Sequence, residues 1–264
     1  MRKQTGQGRR APVRRPWAAL LILGSLASSA WIAPSGQQPA AARATLGQAA
    51  PDFRLVNSQG APVGLKDFRG RKRVALAFCP SPGRAGDSLL ELRSLAAAAG
   101  DLAKLNTVIL VIGCDPPGFH RAPGEKAIAA LALLDDPDRA VTKLYGAFDS
   151  ETHTAQRATF FIDEQGVLRA AERPANPATR GRDLAGLVEQ WLSGKALYEG
   201  ACARCHGPDG GDTESYAGIK SLRGIGGLHD EKEILELTAM TGIVNIQAWS
   251  EPDRQALAKY VKGL

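Results

Sequence analysis

Two cysteines and a histidine stand together near the carboxyl end of the chain, in the run Cys202-Ala-Arg-Cys205-His206. Two thiols at this spacing lie on one helical turn, so both can form thioethers with one porphyrin while the adjacent imidazole reaches its iron. A thioredoxin-type dithiol would need a preceding hydrophobic strand, and a zinc site would need another Cys or His pair; neither accompanies this motif. The pattern therefore predicts one covalent haem c held by Cys202 and Cys205, with His206 as an axial iron ligand.

Helix signals surround this motif. A helix predicted from Lys195 carries the motif at its end. The run Asp230–Glu233 reads as a capping box that opens a middle helix through Leu237, and Ser250–Asp253 opens a last helix with proline in its first turn. Apolar residues on one face of the last helix are expected to pack on the first helix: Leu257, Tyr260 and Val261 against Leu197 and Tyr198.

With these elements, residues 195–264 resemble a small class I cytochrome c. The resemblance implies a sixth iron ligand, usually a methionine in the loop before the last helix. Met240, the only methionine besides Met1, is the predicted ligand. His229 is the competing candidate, and an open or water-bound iron is the remaining alternative. Weaker candidates for haem contact, each explained equally well by packing or surface charge, are Pro208, Tyr216, Arg223 and Trp249.

Residues 45–194 show a different pattern, in which apolar strands alternate with helices. Such alternation predicts an α/β domain with a mostly parallel sheet covered on both faces. Asp163–Gly166 reads as a hairpin turn, and Gly194 ends the domain's terminal helix. The strands predicted are Val74–Phe78, Thr107–Ile112, Thr159–Ile162 and Val167–Ala170, and the helices include Ser88–Ala98 and Arg182–Leu192.

This span resembles the peroxiredoxin branch of the thioredoxin-like fold. The matching stretches are Ala50–Phe53, Leu134–Gly146 and Arg157–Asp163. The family's motif places Thr or Ser four residues, and the peroxidatic Cys seven residues, after a Pro. Counted from Pro80, those positions hold Arg84 and Asp87, so the resemblance implies a degenerate domain. Arg157 matches the family's active-site arginine, but a carboxylate cannot replace the missing thiolate in peroxide reduction.

Two further cysteines follow the two central strands. Cys79 comes directly after Val74–Phe78, and Cys114 lies two residues beyond Thr107–Ile112. Neighbouring parallel strands would bring both thiols to one sheet edge, about 4.8 Å apart at their Cα atoms, which is within disulfide range. The two hypotheses are a redox-active pair and two buried small apolar residues.

The charge of the chain is concentrated in its first residues. The formal charge is +6, and six cations precede Pro16. Beyond them, 27 Lys and Arg face 27 Asp and Glu, which leaves no net charge to hold a phosphate backbone and argues against a nucleic-acid partner. The basic head runs into an uncharged apolar segment, residues 17–33, and a small-residue stretch with Ala42-Arg43-Ala44, the layout of an export signal. An uncleaved membrane anchor is the alternative.

The predicted organisation is a signal peptide or anchor (1–44), a peroxiredoxin-like domain (45–194) and a monohaem cytochrome c domain (195–264). The leading functional hypothesis is periplasmic electron transfer through the haem. The redoxin domain would then serve docking or structure for a redox partner, either another cytochrome or a membrane respiratory-type complex. The alternative is a haem-linked thiol-disulfide oxidoreductase or peroxidase that uses Cys79 and Cys114. A subunit whose haem only stabilises the fold is the third reading.

Overall fold

The computed structural model describes residues 43–80, 87–114, 128, 131–174, 176–211 and 221–264. The predicted export segment lies outside this range except for its last two residues, Arg43 and Ala44, and Arg84 and Tyr216 also lie outside it. Within the described ranges, no helix combines the length and the apolar character needed to cross a bilayer.

A mixed sheet of seven strands forms the first part of the described chain. The strands are β1 (Arg54–Asn57), β2 (Pro62–Gly64), β3 (Arg73–Phe78), β4 (Thr107–Gly113), β5 (Ala132–Asp135), β8 (Ala158–Ile162) and β9 (Leu168–Glu172), with a separate small pair of β6 (Phe148–Asp149) and β7 (Thr154–Ala155). The order in the sheet is β2-β1-β5-β4-β3-β8-β9. Of its pairings, β3/β4 and β4/β5 are parallel and the other four are antiparallel, so the prediction of a mostly parallel sheet is wrong. A hairpin lies at each edge, and the one between β8 and β9 contains the predicted turn at Asp163–Gly166.

Successive side chains of a strand point to opposite faces of the sheet, so alternate residues of the central strands pack into two separate cores. On β3, Ala75 and Ala77 join the core under the long helices α1 (Asp87–Lys104) and α3 (Arg180–Ala201). Leu76 and Phe78 face the other core, which the short helix α2 (Ala140–Leu144) helps to cover. The sheet is therefore buried on both faces, as predicted for this domain.

The rest of the chain is helical. After α3 come α4 (Ala203–His206), α5 (Glu231–Thr241) and α6 (Glu251–Lys262), with single 3-10 turns between them. Both predicted N-terminal caps are present: Glu233 N–H donates to Asp230 Oδ1 at 2.9 Å, and Asp253 N–H donates to Ser250 Oγ at 3.3 Å. The rings of Tyr198 and Tyr260 lie 5.1 Å apart, so the predicted packing of the last helix on the first is also correct.

The predicted helix end at Gly194 is wrong, because α3 continues without a break into the predicted cytochrome region. Gly194 lies at a helix crossing: a Cβ built there would stand 1.9 Å from the carbonyl oxygen of Ala256 on α6. Near the start of the same helix, a Cβ on Gly181 would stand 1.9 Å from the carbonyl oxygen of Ser94 on α1. The two glycines thus allow one helix to pack closely against both parts of the chain.

The end of α6 packs against the edge strand β9. Arg169 Nη1 donates to the carbonyl oxygen of Gly263 at 2.8 Å, while its Nε pairs with the buried Asp163 carboxylate at 2.6 Å. Nearby, Lys259 Nζ lies 2.6 Å from Glu172 Oε1 on β9. The helical region is therefore attached to the sheet by the shared helix α3 and by these polar contacts.

Candidate functional site

The Cys202–His206 motif occupies a turn where α3 ends and α4 begins. The N–H of Cys202 still donates to Tyr198 O at 2.8 Å, and the N–H of His206 donates to Cys202 O at 3.0 Å. Tyr198 also donates its hydroxyl to Gly207 O at 2.8 Å, which ties the end of the motif back to α3. The backbone of this turn is thus held by hydrogen bonds on both sides of the two cysteines.

A cavity of about 290 Å³, here called the crevice, opens beside this motif. Cys202, Cys205 and His206 line it directly. Its other walls are mostly aliphatic and come from α5, α6 and the residues just before and after α5: Leu222, Ile225, Ile234, Leu237, Val244 and Leu257. Two thiols and an imidazole beside an apolar space suit a covalently attached porphyrin, which needs both sulfur attachment and a dry surface. The residues present therefore fit a haem c.

The two motif thiols are half-buried. Burial raises the pKa of Cys202, and the nearby thiol of Cys205 raises it further. The unmodified Cys202 thiol is consequently a weak nucleophile at neutral pH, which does not favour a thioredoxin-type dithiol in this motif.

Met240, the predicted distal ligand, does not reach the crevice in the structure. It lies on α5, which continues past the predicted end at Leu237 and stops where Gly242 adopts a left-handed conformation. The α5 residues that line the crevice follow helical spacing: Ile234, Leu237, Thr238 and Thr241. Met240 lies about 100° away from that face and is 82% exposed.

The structure places four other candidate haem contacts away from the crevice. His229 does not line the crevice, and its Nδ1 lies 3.5 Å from Glu233 Oε2. Arg223 pairs with Asp209 at an exposed position, and Trp249 packs against the apolar core. Pro208 is exposed. None of these four side chains borders the crevice.

The interior of the redoxin part contains a buried ionic cluster near the described start of α1. Asp87 is the first described residue of that helix. One turn further, Glu91 points into the core and pairs with the guanidinium groups of Arg180 and Arg157, the latter with Nε 3.2 Å from Glu91 Oε1. Glu91 and Arg180 are both fully buried.

Cys79 lies against this cluster. Arg180 Nη1 stands 3.3 Å from its sulfur and also donates to the carbonyl oxygen of Phe78 at 3.1 Å. Burial raises the pKa of Cys79 to about 12, against the opposing effect of the Arg180 charge. With 0% of its surface exposed, the thiol has neither the ionisation nor the access that redox chemistry requires.

The predicted redox pair of Cys79 and Cys114 is wrong. No disulfide joins them, and they belong to opposite faces of the sheet. In the β3/β4 register Phe78 is opposite Ile112, so Cys114 is one residue out of step with Cys79. Because successive side chains alternate, that single residue sends Cys114 toward the other core, where its sulfur lies 3.2 Å from Thr142 Oγ1.

Sequence reasoning missed Glu91 and Arg180. Glu91 is an acidic residue on the buried face of α1, next to Leu92 and Leu95, and that pattern was the available signal. Arg180 gave none, because its partners on β3, α1 and β8 are distant in sequence.

Comparison with known proteins gives two separate matches along the chain. Residues 46–171 match the AhpC/TSA family, and residues 192–264 match the cytochrome c family. A Helicobacter pylori relative named as a peroxiredoxin is 34% identical over 129 residues, which are 47% of this chain and 84% of the relative. Alkyl hydroperoxide reductase E of Mycobacterium tuberculosis is 33% identical over 129 residues, 48% of this chain and 84% of the relative.

Solved structures agree on the fold. Thioredoxin peroxidase I of Plasmodium yoelii superposes with a TM-score of 0.50 at 24% identity. The superposition includes 67% of this chain and the whole of the Plasmodium chain. The two resemblances predicted from the sequence, and the α/β domain followed by a helical domain, are thereby confirmed. The boundaries drawn at residues 44 and 194 stay predictions.

Proposed function

We propose that this chain, which belongs to the AhpC/TSA family and carries a cytochrome c domain after its family domain, transfers electrons through one covalent haem c. In this proposal Cys202 and Cys205 hold the porphyrin and His206 binds its iron. The group, when bound, supplies a one-electron redox centre. The chain's own residues attach it, exclude water from one side and leave an edge near the surface.

The observation that carries the proposal is the crevice. Its lining combines the two thiols and the imidazole with an aliphatic surface. Two apolar lining residues are solvent-exposed, Ile243 at 76% and Leu237 at 43%. An exposed apolar rim favours brief contact with another protein, which outer-sphere electron transfer requires.

The redoxin domain has a supporting role in this proposal. The chain has four cysteines, and two of them belong to the haem motif. Of the other two, Cys79 is buried in the core and Cys114 lies toward the opposite face of the sheet, so in this proposal neither serves as a peroxidatic thiol. The shared helix α3 and the contact of Arg169 with Gly263 instead support a rigid mounting for the haem domain.

Export to the periplasm is part of the same proposal. It rests on the basic and apolar N-terminal segment, which would leave the protein either soluble after cleavage or anchored to the membrane. The partner would be another redox protein, a cytochrome or a membrane respiratory-type complex.

The test uses holoprotein matured in a host that attaches haem c. Mixed in a stopped-flow instrument with a small soluble cytochrome of opposite redox state, it should exchange electrons at a rate proportional to the partner's concentration. The same protein with a dithiol reductant should consume no peroxide beyond what its haem accounts for, and Cys79→Ser should change neither rate. Peroxide consumption that disappears in Cys79→Ser would instead establish a thiol peroxidase.

A further inference from the structure

The walls of the crevice outside the haem motif lack the side chains that usually bind iron. The lining residues contributed by α5 and the two positions after Gly242 are Ile234, Leu237, Thr238, Thr241, Ile243 and Val244. None of these carries a sulfur, an imidazole or an amine, the groups that serve as axial haem ligands in c-type cytochromes. Among the described residues, the motif itself supplies the only such groups in the crevice.

The two threonines of this wall are already engaged with the helix backbone. Thr238 donates its hydroxyl to Ile234 O at 2.8 Å, and Thr241 donates its hydroxyl to Thr238 O at 2.8 Å. A threonine that bonds its own helix in this way adds little polarity to the space beside it. The wall is therefore both free of iron ligands and nearly free of hydrogen-bond donors.

Met240 would have to change its place on the helix to fill the gap. It lies about 100° from the lining face of α5, and two capped ends hold that helix: the capping box at Asp230 and Glu233, and the left-handed Gly242. Bringing Met240 inward would require rotating or unwinding the last turn of α5. That rotation would also move Thr238 and Thr241 out of the crevice.

We infer that the haem iron is left open on the side away from His206 and binds neutral diatomic molecules such as carbon monoxide and nitric oxide. The inference rests on the proposed function, since it requires a haem attached through Cys202 and Cys205. Binding forms one bond from the ligand to ferrous iron; no electron is transferred and no protein bond is broken.

The apolar wall also selects among ligands. A neutral diatomic molecule enters an aliphatic space at little cost, whereas an anion such as azide loses its hydration without gaining a charged partner. The side chains of Ile243 and Leu237, at the rim, are solvent-exposed and so leave a path from the surface. We therefore expect tight carbon monoxide binding by the ferrous protein and weak azide binding by the ferric protein.

The experiment is a carbon monoxide titration of reduced holoprotein followed by absorbance. Wild type and Met240→Leu should both show a saturable spectral change that corresponds to one ligand per haem, with dissociation constants equal within about twofold. The matched control is Leu228→Ala, a change at an exposed apolar position outside the crevice, which should bind carbon monoxide as wild type does. Ile243→Met, which adds a thioether to the wall, should weaken carbon monoxide binding at least tenfold.

Three results would overturn the inference. They are binding by Met240→Leu but not by wild type, binding by neither protein, and an unchanged affinity in Ile243→Met. The haem content of each sample is measured separately by its pyridine haemochrome, and electron exchange with the soluble cytochrome is measured on the same preparation. Absent haem or absent exchange contradicts the proposed function, whereas intact haem and exchange without carbon monoxide binding contradicts only the open iron.

Discussion

The molecule holds cysteine sulfur in two contrasting places: the crevice beside Cys202 and Cys205, and the core around Cys79. The crevice is a cavity of about 290 Å³ with aliphatic walls and half-buried thiols. The space around Cys79 is filled by the guanidinium of Arg180 and the carboxylate of Glu91. One place can accept a large apolar group, and the other is closed to any reactant.

The contrast separates two settings of cysteine in one chain. Asp87 is the first described residue of α1 and carries no sulfur. The nearby interior is filled by an ion pair that joins α1 to α3 and offers no nucleophile. The cysteines that line a cavity lie instead at the far end of α3.

The largest expected effect concerns the crevice. Cys205→Ser should leave each haem attached by a single thioether bond instead of two. The double variant Cys202→Ser with Cys205→Ser should abolish covalent haem altogether, because no other described cysteine lines the cavity. The measurement is haem retained on the polypeptide after denaturation in acid. Cys114→Ser, a change on the sheet face away from the long helices, is the control and should retain full haem. Covalent haem in the double variant would refute the assigned attachment.

The next effect concerns the closed core. Arg180→Met should lower the free energy of unfolding by about 3–5 kcal/mol, because it leaves the buried Glu91 carboxylate with Arg157 as its remaining cationic partner among the described residues. Unfolding in urea, followed by far-ultraviolet circular dichroism, measures the change. Haem spectra of the folded protein should stay as in wild type, since Arg180 is remote from the crevice lining.

Two further variants sharpen that experiment. Arg182→Met, an exposed change two residues along the same helix, should stay within about 0.5 kcal/mol of wild type. Replacing both partners, Arg180→Met with Glu91→Leu, should recover much of the loss, because the two fully buried charges are then removed together and the remaining Arg157 side chain is 21% exposed. If the double variant is as unstable as the sum of the single ones, the cluster is not a coupled ion pair.

Local signals in the sequence predicted several features correctly, because each depends on neighbouring residues. The caps at Asp230 and Ser250 and the hairpin at Asp163–Gly166 belong to this class. The pairing of Glu91 with Arg180 could not be predicted, since 89 residues separate them and only the folded sheet brings them together.

Two errors came from small shifts along an element. The hypothesis of a Cys79–Cys114 pair placed both thiols correctly at the ends of adjacent parallel strands, but one residue of register decides which face each thiol takes. The second concerns the helix that carries Met240, which was predicted to end at Leu237 but continues to Thr241. The spacing of Ile234, Leu237, Thr238 and Thr241 carried the contrary signal, because it continues the apolar face past that point and excludes Met240 from it.

The glycines of α3 give a smaller and more local comparison of the two regions. Gly194→Ala and Gly181→Ala should each destabilise the protein by about 1–3 kcal/mol, because the added methyl group meets a carbonyl oxygen of the crossing helix. Only Gly194→Ala should also alter the haem spectrum, since it moves α6, which lines the crevice through Leu257 and Val261. Gly186→Ala, whose Cβ meets nothing within 4 Å, is the control and should be neutral or slightly stabilising. Equal spectral changes in Gly181→Ala and Gly194→Ala would mean that α3 transmits strain along its whole length.

The smallest effect is the alkaline behaviour of Cys79. Burial raises its pKa in the folded protein from 9.0 to about 12, so the folded state holds the thiol proton more tightly than the unfolded state does. The stability that this proton contributes is complete below pH 9 and is lost as the pH rises from about 9 toward about 12. Cys79→Ala should therefore show a shallower fall in unfolding free energy between pH 9 and pH 11, by about 1 kcal/mol per pH unit. Urea unfolding at several pH values measures the slopes. Tyr260, whose pKa burial raises to about 12, contributes equally to both proteins and cancels in the difference.

A second measurement tests the same burial by chemical access. In native holoprotein treated with iodoacetamide at pH 9, Cys79 should stay unmodified until the protein is unfolded. Alkylation of Cys79 at the rate of the unfolded protein would show that the core around Arg180 and Glu91 is open to solvent.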